Sequence, residues 1–385
     1  MRKTVTIGDL GIVITGKTPP TTNKKYYGDY AVFIKPTDIS EQSKFTYKTE
    51  EMYSKLAAEK YESSIVPKGA ICVPCIGTIG TKMTMTHCDC YTNQSINSIV
   101  CNDNFDNEYV YYLIKNFLPG LKAYNLGTAS GREYVSKSNF EKIELEVELD
   151  KDIQKRIGMF LSRYDSLIEN YQKQIKLLEE AAQRLYKEWF VDLHFPGHEN
   201  TKIVDGVPEG WEKKTLDSFC NVFTGKKNAN QGVPNGEYKF FTCGDTPLLI
   251  NSYIYDGPAI IISGNGSYTG RTTFYEGKFD LYQRTYACTL KDTNNSDFIY
   301  GLYEIVKCEL TNKISGGTHG AAIPYIVMSD LTKFDFLFNE SIMHSFSSTI
   351  KRFLSISLKF SNQIRLLTEA RDRLLPKLMS GEIAV

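Results

Sequence analysis

Residues Asp150 to Val191 read DKDIQKRIGMFLSRYDSLIENYQKQIKLLEEAAQRLYKEWFV, and this stretch decides the fold. It has no proline, and its only glycine is Gly158. Such a run predicts a helix roughly 60 Å long. Apolar or aromatic residues recur along it at steps of three and four, namely Ile153, Ile157, Phe160, Tyr164, Ile168, Tyr171, Ile175, Leu178, Ala182, Leu185 and Trp189. Because this spacing keeps one apolar stripe on one helix face, the helix needs a partner helix of similar length.

A second stripe of the same kind lies near the end of the sequence. It comprises Ile342, Phe346, Ile350, Phe353, Phe360, Ile364, Leu367, Leu374 and Leu378, with Ser357 and Arg371 as polar interruptions. A shift of 189 positions places Ile153 on Ile342 and aligns QIKLLEEA, which begins at Gln174, with QIRLLTEA, which begins at Gln363. The sequence therefore predicts a tandem duplication in which the two long helices pair.

The segments between the helices are predicted to be mostly β-structure, because short β-branched runs alternate there with loops rich in Gly, Pro, Asn and Lys. Thr15-Gly16-Lys17 returns as Thr224-Gly225-Lys226, whereas the domains otherwise differ. This contrast indicates a common frame that carries two different recognition surfaces. We predict an α+β fold of two mostly-β domains, each followed by a long helix. The predicted segments are residues 1–149, 150–192, 193–340 and 341–385, the third of which begins with a connector.

The charges of the chain balance. There are 45 Lys and Arg residues and 45 Asp and Glu residues, so the formal net charge is zero. Domains that bind nucleic acid by themselves usually carry a basic excess. If DNA is the ligand, affinity must come partly from local loops and partly from partner proteins.

The cysteines and the apolar pattern indicate a compartment. Nine cysteines stand at irregular spacings, no apolar run follows Met1, and no stretch of eighteen apolar residues occurs. These features predict reduced thiols in a cytoplasmic protein.

One motif has the letters of a phosphate-binding P-loop, Gly11-Ile-Val-Ile-Thr-Gly16-Lys17-Thr18. Its middle residues are typical of a strand, and Pro19-Pro20 follow where a P-loop helix would have to begin. We therefore predict a strand here and no nucleotide site.

A zinc cluster is also disfavoured. Cys72 and Cys75 lie in an apolar run that is typical of a buried strand, and the single residue between Cys88 and Cys90 fits zinc spacing poorly. The sequence has no amino-methylation motif, no nuclease-type metal motif and no serine nucleophile elbow. We predict that the chain has no catalytic residue, no metal site and no cofactor of its own.

The remaining candidate functional residues are basic and amide side chains in the predicted loops, which are suited to DNA binding. Lysine and arginine pair with phosphates, and amides can read base edges. The alternative is that such residues are ordinary solvated turn residues. The candidate DNA-binding residues are Lys17, Lys25, Lys82 and Arg132 in the first domain, with Lys226, Asn265, Tyr268, Arg271 and Arg284 in the second.

Four segments carry a family resemblance. They are FLS from Phe160 through LYKEWF ending at Phe190, FPGHE from Phe195, VPEGWE from Val207, and RLLPKLMSGEI from Arg373. Together they resemble the DNA-specificity subunit of type I restriction-modification enzymes, in order along the whole chain.

This resemblance implies that the two helices pack as an antiparallel coiled-coil spacer with approximate two-fold symmetry. Each target-recognition domain would read one half of a bipartite, asymmetric DNA site, and the helices would set the gap. Two modification subunits that use S-adenosylmethionine for adenine-N6 methylation would dock on the chain. Restriction subunits that use ATP and Mg²⁺ would complete the complex.

Two other functions stay open at this point. One is a single-chain methyltransferase or nuclease with the same recognition domains. The other is a structural protein whose helices space two β-domains that bind protein or glycan.

Overall fold

The structure is a computed structural model that describes residues 2–127, 133–292, 294–315 and 325–384. The chain divides into unit 1, Met1–Gln172 with Ser361–Val385, and unit 2, Lys173–Phe360. Across the described ranges, every helix is too short or too polar to cross a membrane.

Unit 1 contains a four-stranded sheet in the order β2-β8-β5-β6, a three-stranded sheet in the order β4-β3-β7, and the antiparallel pair β1-β9. Its strands are β1 (Arg2–Thr6), β2 (Gly11–Thr15), β3 (Tyr27–Ile34), β4 (Met52–Tyr53), β5 (Ile71–Pro74), β6 (Thr84–Met85), β7 (Tyr91–Thr92), β8 (Ile96–Cys101) and β9 (Glu144–Glu148). Its helices are α1 (Ile7–Leu10), α2 (Lys55–Lys60), α3 (Asn107–Phe117), α4 (Lys137–Glu141) and the beginning of α5 (Lys151–Tyr186). The predicted strand inside the P-loop-like motif is confirmed, because β2 pairs with β8 along its whole length.

Unit 2 is built around a six-stranded sheet in the order β13-β18-β16-β17-β14-β15. Its strands are β10 (Ile203–Val204), β11 (Val207–Pro208), β12 (Glu212–Thr215), β13 (Cys220–Thr224), β14 (Tyr238–Phe241), β15 (Leu248–Ile250), β16 (Tyr255–Ser263), β17 (Thr272–Leu281), β18 (Thr285–Leu290) and β19 (Asp335–Phe338). Its helices are α6 (Leu216–Phe219), α7 (Phe298–Ser315), α8 (Met328–Thr332), the end of α5 and the beginning of α9 (Glu340–Ser380).

Both long helices begin at capping residues that the 189-position shift superimposes. The Asp150 carboxylate accepts a hydrogen bond from the backbone N–H of Ile153 at 3.2 Å. The Asn339 side-chain carbonyl accepts one from the N–H of Ile342 at 3.1 Å. Such caps satisfy N–H groups that the first helical turn leaves free, so the two helices start at equivalent points of the repeat.

Within each unit, the beginning of one long helix packs against the end of the other, so the helices are antiparallel there. In unit 1, Ile157 and Leu161 of α5 share a buried core with Leu375 and Leu378 of α9. In unit 2, Ala182 and Tyr186 of α5, together with Phe190 just after it, share a core with Phe346 and Ile350 of α9. The predicted α+β class with paired helices is confirmed.

Three details of the helices differ from the prediction. α5 ends at Tyr186, and residues 187–191 continue it as a π-helical segment. The buried line on α5 and its π-helical continuation runs one residue after part of the predicted stripe: Leu161, Tyr186 and Phe190 are buried, whereas Phe160 is only partly buried. The sequence also failed to predict α7, which is buried on several faces and so lacks the one-sided apolar pattern of a surface helix.

A buried charge network joins the two helices in unit 1. The Arg371 guanidinium donates to the Asp165 carboxylate, and both side chains are more than nine-tenths buried. The Tyr112 hydroxyl of α3 donates to the other oxygen of Asp165 at 2.5 Å, and burial, with the carboxylate beside it, raises the pKa of Tyr112. Arg371, a polar interruption in the predicted stripe, is therefore a core residue.

The matching place in unit 2 has no such charges. The 189-position shift carries Arg371 onto Ala182 and Asp165 onto Leu354, which both belong to the apolar packing of unit 2. The aromatic rings of Phe190 and Phe346 pack edge to face there, 4.9 Å apart. The two copies of the repeat thus join their helices by different chemistry.

We expect Arg371→Ala to destabilise the protein strongly, because it leaves Asp165 buried without its cation, at a cost of about 3–5 kcal/mol. Adding Asp165→Leu, which reproduces the residues of unit 2, should recover part of the loss, because the unpaired carboxylate is gone but the buried Tyr112 hydroxyl has lost its acceptor. Urea unfolding of the full chain measures both effects.

The matched control is Arg365→Ala, which removes an exposed pair with Glu369 on the same helix and should cost about 0.5 kcal/mol or less. Equal losses for Arg371→Ala and Arg365→Ala would show that the buried network contributes nothing to stability.

Candidate DNA interface

Several candidate residues of unit 2 meet at one edge of its sheet. The second loop cluster consists of Gly225–Lys227, Gly264–Arg271 and Tyr282–Arg284. The Gly264 N–H donates to the carbonyl of Arg284 at 2.9 Å, and the Gln283 N–H donates to the carbonyl of Lys227 at 3.0 Å. Backbone hydrogen bonds therefore bring Lys226, Asn265, Tyr268, Arg271 and Arg284 into neighbouring loops.

Gly225 allows two of these loops to approach closely. A Cβ added at Gly225 would lie 1.8 Å from the carbonyl oxygen of Leu281. No larger residue fits without a shift of the backbone. The Thr-Gly-Lys motif is thus a close-packing motif that leaves the following Lys226 exposed.

The two adjacent lysines of this cluster differ in their surroundings. The Lys227 ammonium lies 3.6 Å from the carboxylate of Asp280, which is 3% exposed. The Ser252 hydroxyl donates to the same carboxylate oxygen at 2.8 Å. Lys227 therefore anchors its loop to the domain, whereas the Lys226 side chain points into solvent-exposed space where a phosphate could reach it.

Arg271 is held by groups of its own domain. Its guanidinium pairs with the Asp245 carboxylate at 2.6 Å and donates to the carbonyl of Gly244 at 3.0 Å. It also lies over the ring of Tyr268, 4.9 Å from the ring centroid. This arrangement fixes the loop between β16 and β17 and partly neutralises the charge of Arg271, whereas Arg284 and Tyr268 are exposed.

Unit 1 has a matching first loop cluster, which consists of Gly16–Thr18, Cys75–Met83 and Thr92–Ser95. The Lys17 N–H donates to the carbonyl of Thr92 at 2.9 Å, and the Cys75 N–H donates to the carbonyl of Ser95 at 2.7 Å. The Tyr53 hydroxyl donates to the carbonyl of Lys17 at 2.6 Å. The backbone of Lys17 is thus fixed while its side chain is exposed.

The other candidates of the first domain fall in different places. Lys82 is half-buried in the loop of the first cluster that precedes β6. Lys25 is exposed in a 3-10 turn, where its carbonyl accepts a hydrogen bond from Ser54 at the start of α2. Arg132 lies outside the described residues.

The two clusters have one backbone frame. Thr15 faces Asn97 and Thr224 faces Tyr286 in the paired strands. The Val135 N–H donates to the carbonyl of Cys75 at 2.9 Å, and the Ile326 N–H donates to the carbonyl of Gly264 at 2.8 Å. Most side chains on this frame differ between the units, as at Asn97 and Tyr286, whereas Lys17 and Lys226 are alike.

The sequence analysis did not identify two equivalent exposed turns, one between β7 and β8 and one between β17 and β18. Each turn presents a glutamine, Gln94 in unit 1 and Gln283 in unit 2, and both are exposed. The signal was available, because the shift of 189 that aligns the helices also aligns these two residues.

The thiols near the first cluster are poor metal ligands. Burial raises the pKa of the Cys72 and Cys75 thiols to about 12, and metal binding needs thiolates. Cys72 contacts the Ser98 hydroxyl at 3.3 Å inside the sheet. Within the described ranges, no group of three His, Cys, Asp or Glu side chains is arranged to hold a metal ion.

Comparison with known families gives a match along most of the chain. Residues 2–180 and 208–338 match the family model described as the type I restriction modification DNA specificity domain. The two matched ranges contain the two loop clusters and their sheets.

Two individual specificity subunits are similar to this chain in sequence, and one solved structure is similar to it in fold. The specificity subunit of the type I restriction enzyme MjaIX from Methanocaldococcus jannaschii is 27% identical over 410 residues, covering 98% of this chain and 93% of that protein. The specificity subunit of the enzyme HindI from Haemophilus influenzae is 35% identical over 172 residues, covering 43% of this chain and 36% of that protein. The crystal structure of a type I restriction-modification S subunit from M. genitalium has a similar fold, with a TM-score of 0.64 at 16% identity over 98% of this chain and 96% of that one.

We expect Gly225→Ala to destabilise the second loop cluster, because its new methyl group would overlap the carbonyl of Leu281. Overpacking of this kind costs about 1–3 kcal/mol. Urea unfolding should detect the loss, and hydrogen exchange of the Gln283 amide should become faster.

Gly244→Ala, in a neighbouring loop, is the control, because its added Cβ would approach only the Thr242 hydroxyl, at 3.3 Å. If both substitutions had the same effect, the close approach at Gly225 would not be what holds the loops.

Proposed function

Since the chain belongs to the type I restriction modification DNA specificity family, we propose that each of its two domains reads one half of a bipartite, asymmetric DNA site. Members of this family provide DNA sequence recognition, and the chain is the non-catalytic recognition subunit of a type I restriction-modification complex. The observation that carries the proposal is the common backbone frame of the two loop clusters, on which most side chains differ between the units.

The proposed contacts divide by chemistry. Lys17, Lys25, Lys82 and Lys226 are assigned to phosphates, and Arg132 keeps the same assignment from its residue type alone. Asn265, Tyr268, Arg271 and Arg284 are assigned to the second half-site. Among them, the exposed Arg284 is the best suited to a guanine edge, because a guanidinium can bond to O6 and N7 together. Arg271 acts at least as a support of its loop through Asp245.

The neutral charge of the chain supports the participation of partners. A subunit that shares phosphate contacts with its partners needs few cations of its own, since each phosphate contact adds to the salt-dependent part of affinity. We infer that two modification subunits, which use S-adenosylmethionine for adenine-N6 methylation, bind this chain. Restriction subunits that use ATP and Mg²⁺ complete the assembly, in the cytoplasm.

The long helices are proposed to set the gap between the half-sites. α5 and α9 each contribute one end to unit 1 and the other end to unit 2. Their pairing within each unit gives them a fixed register, because the Asp165–Arg371 pair tolerates no sliding without the burial of unpaired charges.

Replacement of residues 207–340 by the matching segment of another specificity subunit should change one half-site and leave the other as it was. Methylome sequencing of cells that make the chimaera together with its modification subunit measures this. The parental chain provides the reference site. A change in both half-sites, or in neither, would contradict the assignment of one domain to one half.

Insertion of seven residues into each long helix, after Gln172 and after Phe360, should widen the gap. Seven residues keep the apolar stripe nearly in phase and lengthen each helix by about 10 Å, which corresponds to about three base pairs. The same methylome measurement detects the new spacing.

An insertion in α5 alone is the control, because it shifts one helix against the other and should destabilise the protein. An unchanged gap in a folded double-insertion variant would refute the spacer role of the helices.

A further inference from the structure

Two exposed glutamines occupy the same position in the two loop clusters. In unit 1, the turn Asn93-Gln94-Ser95-Ile96 is closed by a hydrogen bond from the Ile96 N–H to the carbonyl of Asn93, at 3.1 Å. In unit 2, the turn from Tyr282 to Thr285 is closed by the equivalent hydrogen bond, at 2.9 Å. Gln94 and Gln283 are the second residues of these four-residue turns.

The surroundings of the two turns match strand by strand. The carbonyl of Ser95, the residue after Gln94, accepts a hydrogen bond from the Cys75 N–H. The carbonyl of Arg284, the residue after Gln283, accepts one from the Gly264 N–H in the same way. Each turn follows a strand that runs parallel to its neighbour, β7 beside β3 and β17 beside β14. The two glutamines are therefore equivalent in structure as well as in sequence spacing.

The residues beside the glutamines have diverged. Asn93 corresponds to Tyr282, and Ser95 corresponds to Arg284. The second position of a common β-turn accepts most residue types, so the turn itself does not require glutamine. Both glutamine side chains are exposed, so packing does not require it either.

In unit 1 a neighbouring hydroxyl orients the amide. The Thr18 hydroxyl donates to Oε1 of Gln94, which fixes Oε1 as the acceptor end and leaves the Nε2 group as a free donor. Oε1 can accept a second hydrogen bond. Gln94 therefore presents one donor and one acceptor side by side, beside the exposed Lys17.

A primary amide in this orientation matches one base edge in the major groove. Adenine offers N7 as an acceptor and its N6 amino group as a donor, and glutamine can bind both at once. The adjacent exposed lysines, Lys17 and Lys226, can position the turn against the phosphate backbone.

We propose that Gln94 and Gln283 each read one adenine, one in each half of the DNA site. The two recognition surfaces then share one base contact at a common position and differ in the residues around it. This inference rests on the proposed function, in which each domain reads one half-site.

The test uses the purified complex of the full chain with its modification subunits. Dissociation constants are measured on duplexes that carry every single base-pair change across both half-sites. Gln94→Ala should lose about 5-fold to 150-fold of discrimination at one adenine of one half-site, and Gln283→Ala should lose as much at one adenine of the other.

An analogue of adenine sharpens the result. 7-Deazaadenine at the affected position removes the N7 acceptor, so it should weaken binding by the parental complex and have little effect on the matching alanine variant. Gln94→Glu and Gln283→Glu keep the acceptor and lose the donor, so they should behave like the alanine variants. Gln42→Ala, an exposed glutamine outside both clusters, should behave like the parental chain.

The outcomes distinguish a failure of the glutamine assignment from a failure of the proposed function. Unchanged discrimination in both variants, a loss at a guanine or cytosine position, or losses confined to one half-site would overturn the glutamine assignment. The parental complex tests the proposed function by itself, because a site without two separate halves would refute that function whatever the variants do. Thermal unfolding of each variant confirms that these exposed changes leave the fold intact.

Discussion

The ion pair between Asp165 and Arg371 is the constraint on which the arrangement of unit 1 depends. Burial removes both groups from water, and such a cost is recovered only when the partners meet in good geometry. Tyr112 supplies the remaining hydrogen bond to the carboxylate from α3, so the network ties both long helices to the first domain. Apolar residues can slide by a helical turn at modest cost, whereas this network has one satisfied arrangement. It therefore fixes the register that the apolar stripes leave open.

The loop clusters follow a different principle, because hydrogen bonds between main-chain groups connect their loops to one another. Hydrogen bonds such as Gly264 to Arg284 and Cys75 to Ser95 involve only N–H and carbonyl groups, which every substitution except proline retains. The exceptions are the glycines, where two backbones touch, and anchoring side chains such as those of Tyr53, Lys227 and Arg271. A recognition surface can therefore change most of its side chains without a change in the position of its loops. This separation explains why the helices of the repeat match closely in sequence, while the two domains share little beyond glycines and short loop motifs such as Thr-Gly-Lys.

The sequence predicted the parts of the structure that have a regular period or an exact repeat. The pairing of α5 with α9 followed from apolar spacing and the 189-position repeat, and the strand at Gly11–Thr15 followed from its β-branched residues. The equivalence of Gly16 with Gly225 followed from the repeated Thr-Gly-Lys motif. α7 was missed because an apolar helix buried on several sides has no periodic contrast to detect. Arg371 was predicted as an interruption because a charged residue reveals its partner only in three dimensions. The same limit applies to Arg271, whose pairing with Asp245 joins two separate loops.

The contacts between α5 and α9 differ in chemistry between the two units, and their stabilities should therefore respond differently to temperature. The desolvation cost of an ion pair falls as temperature rises, because the hydration of charged groups becomes less favourable. Apolar contacts such as those of Phe190 and Phe346 also weaken on cooling, but their contribution per unit of buried area levels off at high temperature. As temperature rises, the helix contact of unit 1 therefore gains stability relative to that of unit 2. Salt should affect the Asp165–Arg371 pair little, because a buried pair is screened much less than an exposed one. The duplicated helix pair thus makes two contacts, one in each unit, whose stabilities depend differently on temperature.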